Sequence, residues 1–526
     1  MGIPSYFRKI IQRYPGILSR SLQQSAVALC FDFNCLIYRC LRSQNLRPYP
    51  KGSYDEEKET WEKELLREVE ICVKEVWEEA GRPSQVFIAV DGVVPMAKIR
   101  QQRVRRFKSA WLRASSAEGS GWDSNSITPG TLFMDKLTTM LEGVSSRHRG
   151  WEVSGVREPG EGEHKILQWL RKDSLKKAGP VIVYGLDADL ILLTMLASEQ
   201  KGIPMYLLRE KQEFGGGTTK QEGKQEYQFM SIPEFQNRLG VKGYEQVLQY
   251  IGLMSLMGND FLPHSITHKL NDDGHEFVLR ELKKGRKIVG TDGQMNLTVF
   301  KEVCQEWSLT EADKMLHMIH KKRDQAKRGI LQGMDEQEGL PLEWNVESVL
   351  LDKNTGRLLS NWRDIYYDWI GGRDQCKRVC QDYMCGFQWI LDYYSGKEVQ
   401  KTWMFPSWIP PLWSDLAKCE STRGFQSYPH ISSDTFETPG EPVATQHTVL
   451  IADPTPEEQL AMVLPLDSWG LIRNGNHRRL PSLAPQFWPI EFTFFSAGRK
   501  WLWECEALIP PLSAARLREI LEDAKQ

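Results

Sequence analysis

Short apolar runs and amphipathic stretches alternate along the first 270 residues of this 526-residue chain. That alternation is the mark of layered α/β structure, in which buried parallel strands read as continuous apolar segments and helices show one apolar face. Strands are expected near 26–32, 86–91, 151–156, 181–186 and 203–208. Between the first two, residues 55–80 scatter Glu and Lys around Leu65, Leu66, Val69, Val73 and Val76, which predicts a long helix packed by one face. Residues 211–226 are polar and glycine-rich and read as a loop. From about 270 to 360 the pattern turns helical and charged, and beyond 360 aromatic residues crowd together, as in WRDIYYDW (362–369) and GFQWILDYYSG (386–396). Residues 420–450, rich in Ser, Thr, Pro and Gly, read as an irregular connection. The expected division is an α/β core over 1–270, a mostly helical extension over 271–360, and an aromatic-rich region over 361–526 that packs on the core and completes its pocket.

Carboxylates sit where several of these runs end. Asp32 closes ALCFD, Asp91 closes VFIAVD, and Asp187 and Asp189 follow VIVYGLD. Glu161 and Glu163 lie in PGEGEHK (159–165), and Asp260 follows LMSLMGN. An open parallel sheet delivers its loops to one shared edge, so these seven acids are expected to converge there. GLDADL is read as placing Asp187 and Asp189 on one side of an extended strand end, two residues apart. Carboxylates that meet repel one another unless positive charge lies between them. An all-oxygen set of this kind suits a hard divalent cation, Mg²⁺ above all. Two such ions, held by bridging carboxylates, are the recurring device for cleaving phosphodiesters.

The net charge of −2 hides an uneven distribution. No acidic residue occurs between Asp91 and Glu118, while Lys98, Arg100, Arg103, Arg105, Arg106, Lys108 and Arg113 all do. Read as a helix, AKIRQQRVRRF (97–107) places Lys98, Gln102, Arg105 and Arg106 on one face, a cradle for a terminal phosphate close to the acids. With 41% apolar and 26% charged residues the composition is that of an ordinary globular protein, and no apolar run is long enough to suggest a membrane-spanning helix. Ten cysteines without a framework spacing point to a reducing compartment. Cys376, Cys380 and Cys385 are read as core thiols, and His264 and His268 as structural.

These motifs resemble the XRN-type 5′→3′ exoribonucleases. The resemblance runs through MGIPSYFRKIIQRYP, FDFN, VDGVVPMAKIRQQRVRRF, SNSITPGTLFM, PGEGEHK, YGLDADL, LREK and GNDFLPH, then resumes with GFQWILDYY, TWMFP, EEQLAMVLP and GRKWLWECEALIPPL. It implies a PIN/flap-nuclease-like fold, a mostly parallel sheet flanked by helices. It also implies that Asp32, Asp91, Glu161, Glu163, Asp187, Asp189 and Asp260 bind two Mg²⁺, for which Mn²⁺ can substitute, and catalyse processive hydrolysis. Lys98, Gln102, Arg105 and Arg106 match the family's pocket for the 5′-monophosphate of single-stranded RNA. Trp403 in TWMFP matches one member of a base-stacking pair; the other falls at Tyr38, where better-known members carry His. Pro95 matches a residue that fences the pocket against duplex. Both conserved regions of the family are represented, so a compact member without C-terminal accessory domains is expected.

Two other readings compete: a flap-type DNA nuclease on the same carboxylate core, and an inactive RNA-binding scaffold that keeps the fold. A haloacid-dehalogenase-type phosphatase is disfavoured, since Asn34 stands where that chemistry needs a second Asp. The chain is expected inside the cell, in the cytoplasm in preference to the nucleus; LKKGRK (282–287) is too short and ordinary to count as a targeting signal and leaves the choice between the two open. Protein partners are not legible.

Overall fold

A computed structural model describes residues 3, 5–50, 55–115, 121–172, 175, 178–211, 225–270, 272–327, 345–420, 453–499 and 502–525. The glycine-rich loop expected at 211–226 and the irregular connection expected at 420–450 fall almost wholly outside these residues.

Seven strands form the central sheet: β1 (Leu18–Ser19), β2 (Ala28–Asp32), β3 (Gln85–Ala89), β4 (Trp151–Ser154), β5 (Val181–Tyr184), β6 (Met205–Glu210) and β7 (Tyr227–Ser231). Their order is β1-β7-β6-β5-β2-β3-β4. The five strands from β6 to β4 run parallel, and β7 and β1 add an antiparallel edge. All five expected strands are present, with β6 continuing to Glu210. The two antiparallel ones were missed: β1 has only two residues, and β7 lies just beyond the polar loop.

Every residue of β2, β3 and β5 is buried, and successive side chains go to opposite faces. Leu29, Phe31, Ile88 and Ile182 therefore join one core with the helices Asp55–Glu79 and Leu132–Ser145. Ala28, Cys30, Phe87 and Val183 join another with Gly162–Arg171, Leu190–Lys201 and Gly243–Ser255. Continuous apolar strands reflect helices on both faces. From β2 the chain proceeds to β3 and β4 on one side and from β5 to β6 on the other, so the strand order reverses between β2 and β5, and the crevice at that switch lies at the carboxyl ends of the strands.

The aromatic region is packed onto this core. The helix Cys376–Ser395 is buried along nearly its whole length and lies against Gly243–Ser255. The helix Pro456–Val463 packs on the basic helix Met96–Ser115. Between them Arg103, 2% exposed, donates to the carbonyls of Met462 at 2.5 Å, Pro510 at 3.3 Å and Phe487. Burial pushes its guanidinium down to about 9. Through these carbonyl dipoles it joins two regions of sequence 359 or more residues apart. Among the described residues no helix is long and apolar enough to cross a membrane.

Arg103→Met removes these donors and leaves buried carbonyls unpaired, each costing roughly 1–3 kcal/mol. Denaturant unfolding should show a loss of about 3 kcal/mol or more. A change under about 0.5 kcal/mol would mean that the joint is held by apolar packing alone.

Candidate active site

The acids arrive from five places. Asp32 is the last residue of β2, and Asp91 follows β3 by two residues. Glu161 is the N-cap of the helix Gly162–Arg171, with Glu163 in its first turn. Asp189 is the N-cap of Leu190–Lys201, and Asp260 follows Gly243–Ser255. Asp187 and Asp189 are not on an extended strand, as the two-residue spacing suggested. Strand β5 ends at Tyr184, and Asp189 already has helical backbone angles (φ −70, ψ −24). The chain turns there to start a helix, and the turn still brings both carboxylates together.

Close approach is possible because the connecting residues are small. Gly162 donates its N–H to Asp91 Oδ1 at 2.7 Å. A Cβ on Gly162 would lie 2.6 Å from Asp32 Oδ1 and 2.9 Å from the Ala89 carbonyl, so only glycine lets this helix start touch the strand ends. Asn34 Nδ2 donates to the other oxygen of Asp91 at 2.9 Å. Two helix N-termini, at Glu161 and Asp189, direct their positive ends toward the cluster.

Oxygens of Glu163, Asp187 and Asp189 all lie within 4.8 Å of one another, and donor atoms of Glu161, Glu163 and His164 do likewise. Asp32, Glu161, Glu163 and Asp189 are buried; Asp91, Asp187 and Asp260 are half-buried. Burial pushes the Asp32 carboxyl well above its ordinary value, and Asp91, Asp187 and Asp189 push it further. Burial and Asp189 do the same to Glu163. Burial also raises Asp189 to about 7, and its Oδ1 has no hydrogen-bond partner.

One side chain relieves part of this repulsion. Lys98 Nζ sits 2.6 Å from Glu161 Oε2 and 2.7 Å from Asp260 Oδ2. Although burial works against its charge, Asp260 is thereby held well below the usual carboxylate range. Lys98 thus touches two of the seven acids, Glu161 and Asp260. Clustered oxygen donors, an unpartnered buried carboxylate oxygen and raised protonation together fit a site for hard divalent cations.

The basic helix holds the other expected residues. Lys98, Gln102 and Arg106 are buried and Arg105 is half-buried. Arg106 donates to Thr128 Oγ1 and, at 3.5 Å, to the Ile127 carbonyl, and burial lowers it to about 10. Gln102 Oε1 has no partner. Lys98 belongs to this face by sequence, but its ammonium lies in the carboxylate cluster and links the two.

Tyr38, on the helix Asn34–Cys40, is 37% exposed, so its ring is open to a ligand. Trp403 is not. It is fully buried, at 5.1 Å and 29° from Trp389, which stacks on Tyr393 at 4.8 Å, which stacks on His164 at 3.7 Å. Trp403 thus closes the far end of a four-ring stack. Pro95 is likewise buried instead of standing at an open mouth; its carbonyl accepts from Lys98 and Ile99 N–H and starts the basic helix.

Sequence reasoning missed the supporting residues. Tyr393 donates to Glu161 Oε1 at 2.7 Å from within GFQWILDYY. Lys165 of PGEGEHK donates to the carbonyls of Val90 at 2.6 Å and Gly155 at 2.8 Å, tying two active-site loops together. His164 lies between Tyr393 and Glu163. The motifs containing them were visible, but nothing in one sequence says which positions face the acids.

Residues 1–211 match the family model described as "XRN 5'-3' exonuclease N-terminus". Over 341 residues the chain is 31% identical to "5'-3' exoribonuclease 1" of Saccharomyces cerevisiae, covering 56% of this chain and 21% of that protein. It is 26% identical to "5'-3' exoribonuclease 1" of Homo sapiens across 99% of this chain and 34% of that protein. For "5'-3' exoribonuclease 2" of Kluyveromyces lactis the identity is 27%, over 67% of this chain and 43% of that protein. The chain therefore spans less than half the length of each of these relatives.

If Lys98 stands in for missing positive charge, Lys98→Met should lower the melting temperature in EDTA. A ligand that binds only the folded state adds stability, so Mn²⁺ should narrow the gap to the wild type. A gap of the same size with and without Mn²⁺ would show that Lys98 is not interchangeable with a cation.

Proposed function

We propose that this chain, homologous to the XRN exoribonucleases and carrying their N-terminal exonuclease region over residues 1–211, is a Mg²⁺-dependent processive 5′→3′ exoribonuclease. Its substrate is single-stranded RNA bearing a 5′-monophosphate, and its product is the nucleoside 5′-monophosphate. One observation carries the reading: a cluster of seven carboxylates lies next to a Lys–Gln–Arg–Arg face on the Met96–Ser115 helix, and Lys98 belongs to both.

In this reading Asp32, Asp91, Glu161, Glu163, Asp187, Asp189 and Asp260 hold two Mg²⁺, with Mn²⁺ able to substitute. When bound, such a pair activates a water and stabilises the leaving oxygen of a phosphodiester. Gln102, Arg105 and Arg106 grip the terminal phosphate of the RNA, Arg through its planar fork of donors. Arg106 is held in place by Thr128 and Ile127, so it approaches the phosphate from a fixed direction. That grip sets the first phosphodiester at the acids, because the basic helix begins only five residues after Asp91. Tyr38 supplies a stacking surface worth roughly 1–3 kcal/mol per base. Tyr393 fixes Glu161 through its hydroxyl, and Asn34 with Gly162 fixes Asp91. The aromatic region thus acts on the chemistry through orientation, while Trp403 supports the stack beneath Tyr393. Residence inside the cell, in the cytoplasm in preference to the nucleus, belongs to the same reading; the scattered cysteines support a reducing compartment.

Asp189→Ala should abolish RNA digestion while the protein still retards RNA on a native gel; continued turnover would remove Asp189 from the metal set. Tyr38→Ala should shorten the run of nucleotides removed per encounter, read from product ladders under a trap of excess unlabelled RNA. Ladders identical to wild type would place base stacking elsewhere.

A further inference from the structure

Residues 92–95 form an irregular connection between Asp91 and the basic helix, so the spacing of the phosphate face from the acids depends on how they are held. Pro95 has no N–H to give. The half nearer Asp91 is bound to Gly160, next to Glu161. Gly92 N–H donates to the Gly160 carbonyl at 2.9 Å, and Gly160 N–H to the Val93 carbonyl at 2.7 Å. No larger residue fits at position 92, where a Cβ would lie 1.8 Å from the Glu158 carbonyl oxygen. The half nearer the helix is bound elsewhere. Val94 N–H donates to Gln459 Oε1 at 2.9 Å, and Met96 N–H to the Lys401 carbonyl at 2.7 Å.

Gln459 belongs to the helix Pro456–Val463, lies 365 residues along the chain from Val94, and is fully buried. The residues that follow it, Leu460, Ala461, Met462 and Val463, are apolar and buried too. Burying an amide in such packing disfavours folding unless it is hydrogen-bonded. Among the described residues the Gln459 amide is bonded through Oε1 to Val94, while Nε2 has no partner. The other bonds of the connection run from main chain to main chain, so this is the one that a side-chain change removes.

We propose that Gln459 is a positioning residue for the exoribonuclease reaction. By holding Val94 it sets how far the phosphate face stands from the acids, and so where the first phosphodiester lies when the RNA end is gripped. Gln459 touches neither substrate nor metal in this account, and the inference rests on the function proposed above. A misplacement of about 1 Å between reacting groups can cost on the order of 100-fold in rate.

Gln459→Met keeps the length of the side chain and loses the acceptor. Two RNAs that differ only in a 5′-monophosphate or a 5′-hydroxyl are titrated in EDTA, which gives both affinities and counts the molecules able to bind. Single-turnover digestion of the monophosphorylated RNA is then started with Mg²⁺, and its rate is expressed per binding-competent molecule. Both affinities should stay within about twofold of wild type, while the rate falls at least about tenfold. Misfolding lowers the number of competent molecules and not the rate of each, so a merely structural role does not move this readout. Gln459→Leu provides a second variant should Gln459→Met fail to fold. A rate within about twofold of wild type, or a lost preference for the monophosphate in binding, would overturn the positioning role while wild-type digestion leaves the exoribonuclease reading standing. Wild-type protein that binds RNA without digesting it would overturn that reading, and this inference with it.

Discussion

Repulsion among buried carboxylates is the constraint around which this molecule is organised. Bringing seven acids to one sheet edge places Asp32 against Asp91, Asp187 and Asp189, and Glu163 against Asp189, in surroundings that already disfavour charge. Such an arrangement persists only if the rest of the fold enforces it. Two helix N-termini point at the cluster, Gly162 lets one of them approach within hydrogen-bond distance of Asp91, and Lys98 inserts an ammonium between Glu161 and Asp260. The oxygens of Glu163, Asp187 and Asp189, gathered within 4.8 Å of one another, could hold a metal ion that offsets more of this repulsion.

Enforcement comes from the far end of the chain as well. Glu161 is oriented by Tyr393, and Tyr393 is fixed by a stack that runs through Trp389 to Trp403. The basic helix is clamped from behind by Arg103, whose partners all lie beyond residue 460. The basic helix and Glu161 are thus both braced by the region beyond residue 361. This explains how aromatic density, which by itself signals nothing but packing, orients a carboxylate 232 residues earlier in the chain.

The sequence made some of this legible for identifiable reasons. Strands buried on both faces, such as ALCFD and VIVY, leave uninterrupted apolar runs, and acids at their ends stand out against them. The basic helix was legible because Lys98, Gln102, Arg105 and Arg106 recur at helical spacing, and because acids are absent around them. Strand β7 was obscured because it pairs antiparallel at an edge and begins just after a polar loop. The turn at Asp187–Asp189 was misread because a two-residue spacing looks the same on a strand end and on a helix start. Trp403 and Pro95 were expected at an open pocket, yet both are buried; burial depends on which elements pack above a residue, and motif identity does not encode that. Arg103, one of the cations of the acid-free stretch, is turned by its own helix face toward carbonyls of the C-terminal region.

The most direct test of the account is to offer the purified protein and Mg²⁺ one 3′-labelled RNA carrying a 5′-monophosphate, a 5′-hydroxyl or a 5′-triphosphate. The account predicts that only the monophosphorylated RNA disappears, without endonucleolytic fragments, because the carboxylate cluster acts on a terminus that the adjacent basic face has gripped. Equal digestion of all three ends, or internal cleavage, would contradict the coupling of the two; binding without digestion of any of them would make the chain an RNA-binding protein on a nuclease fold.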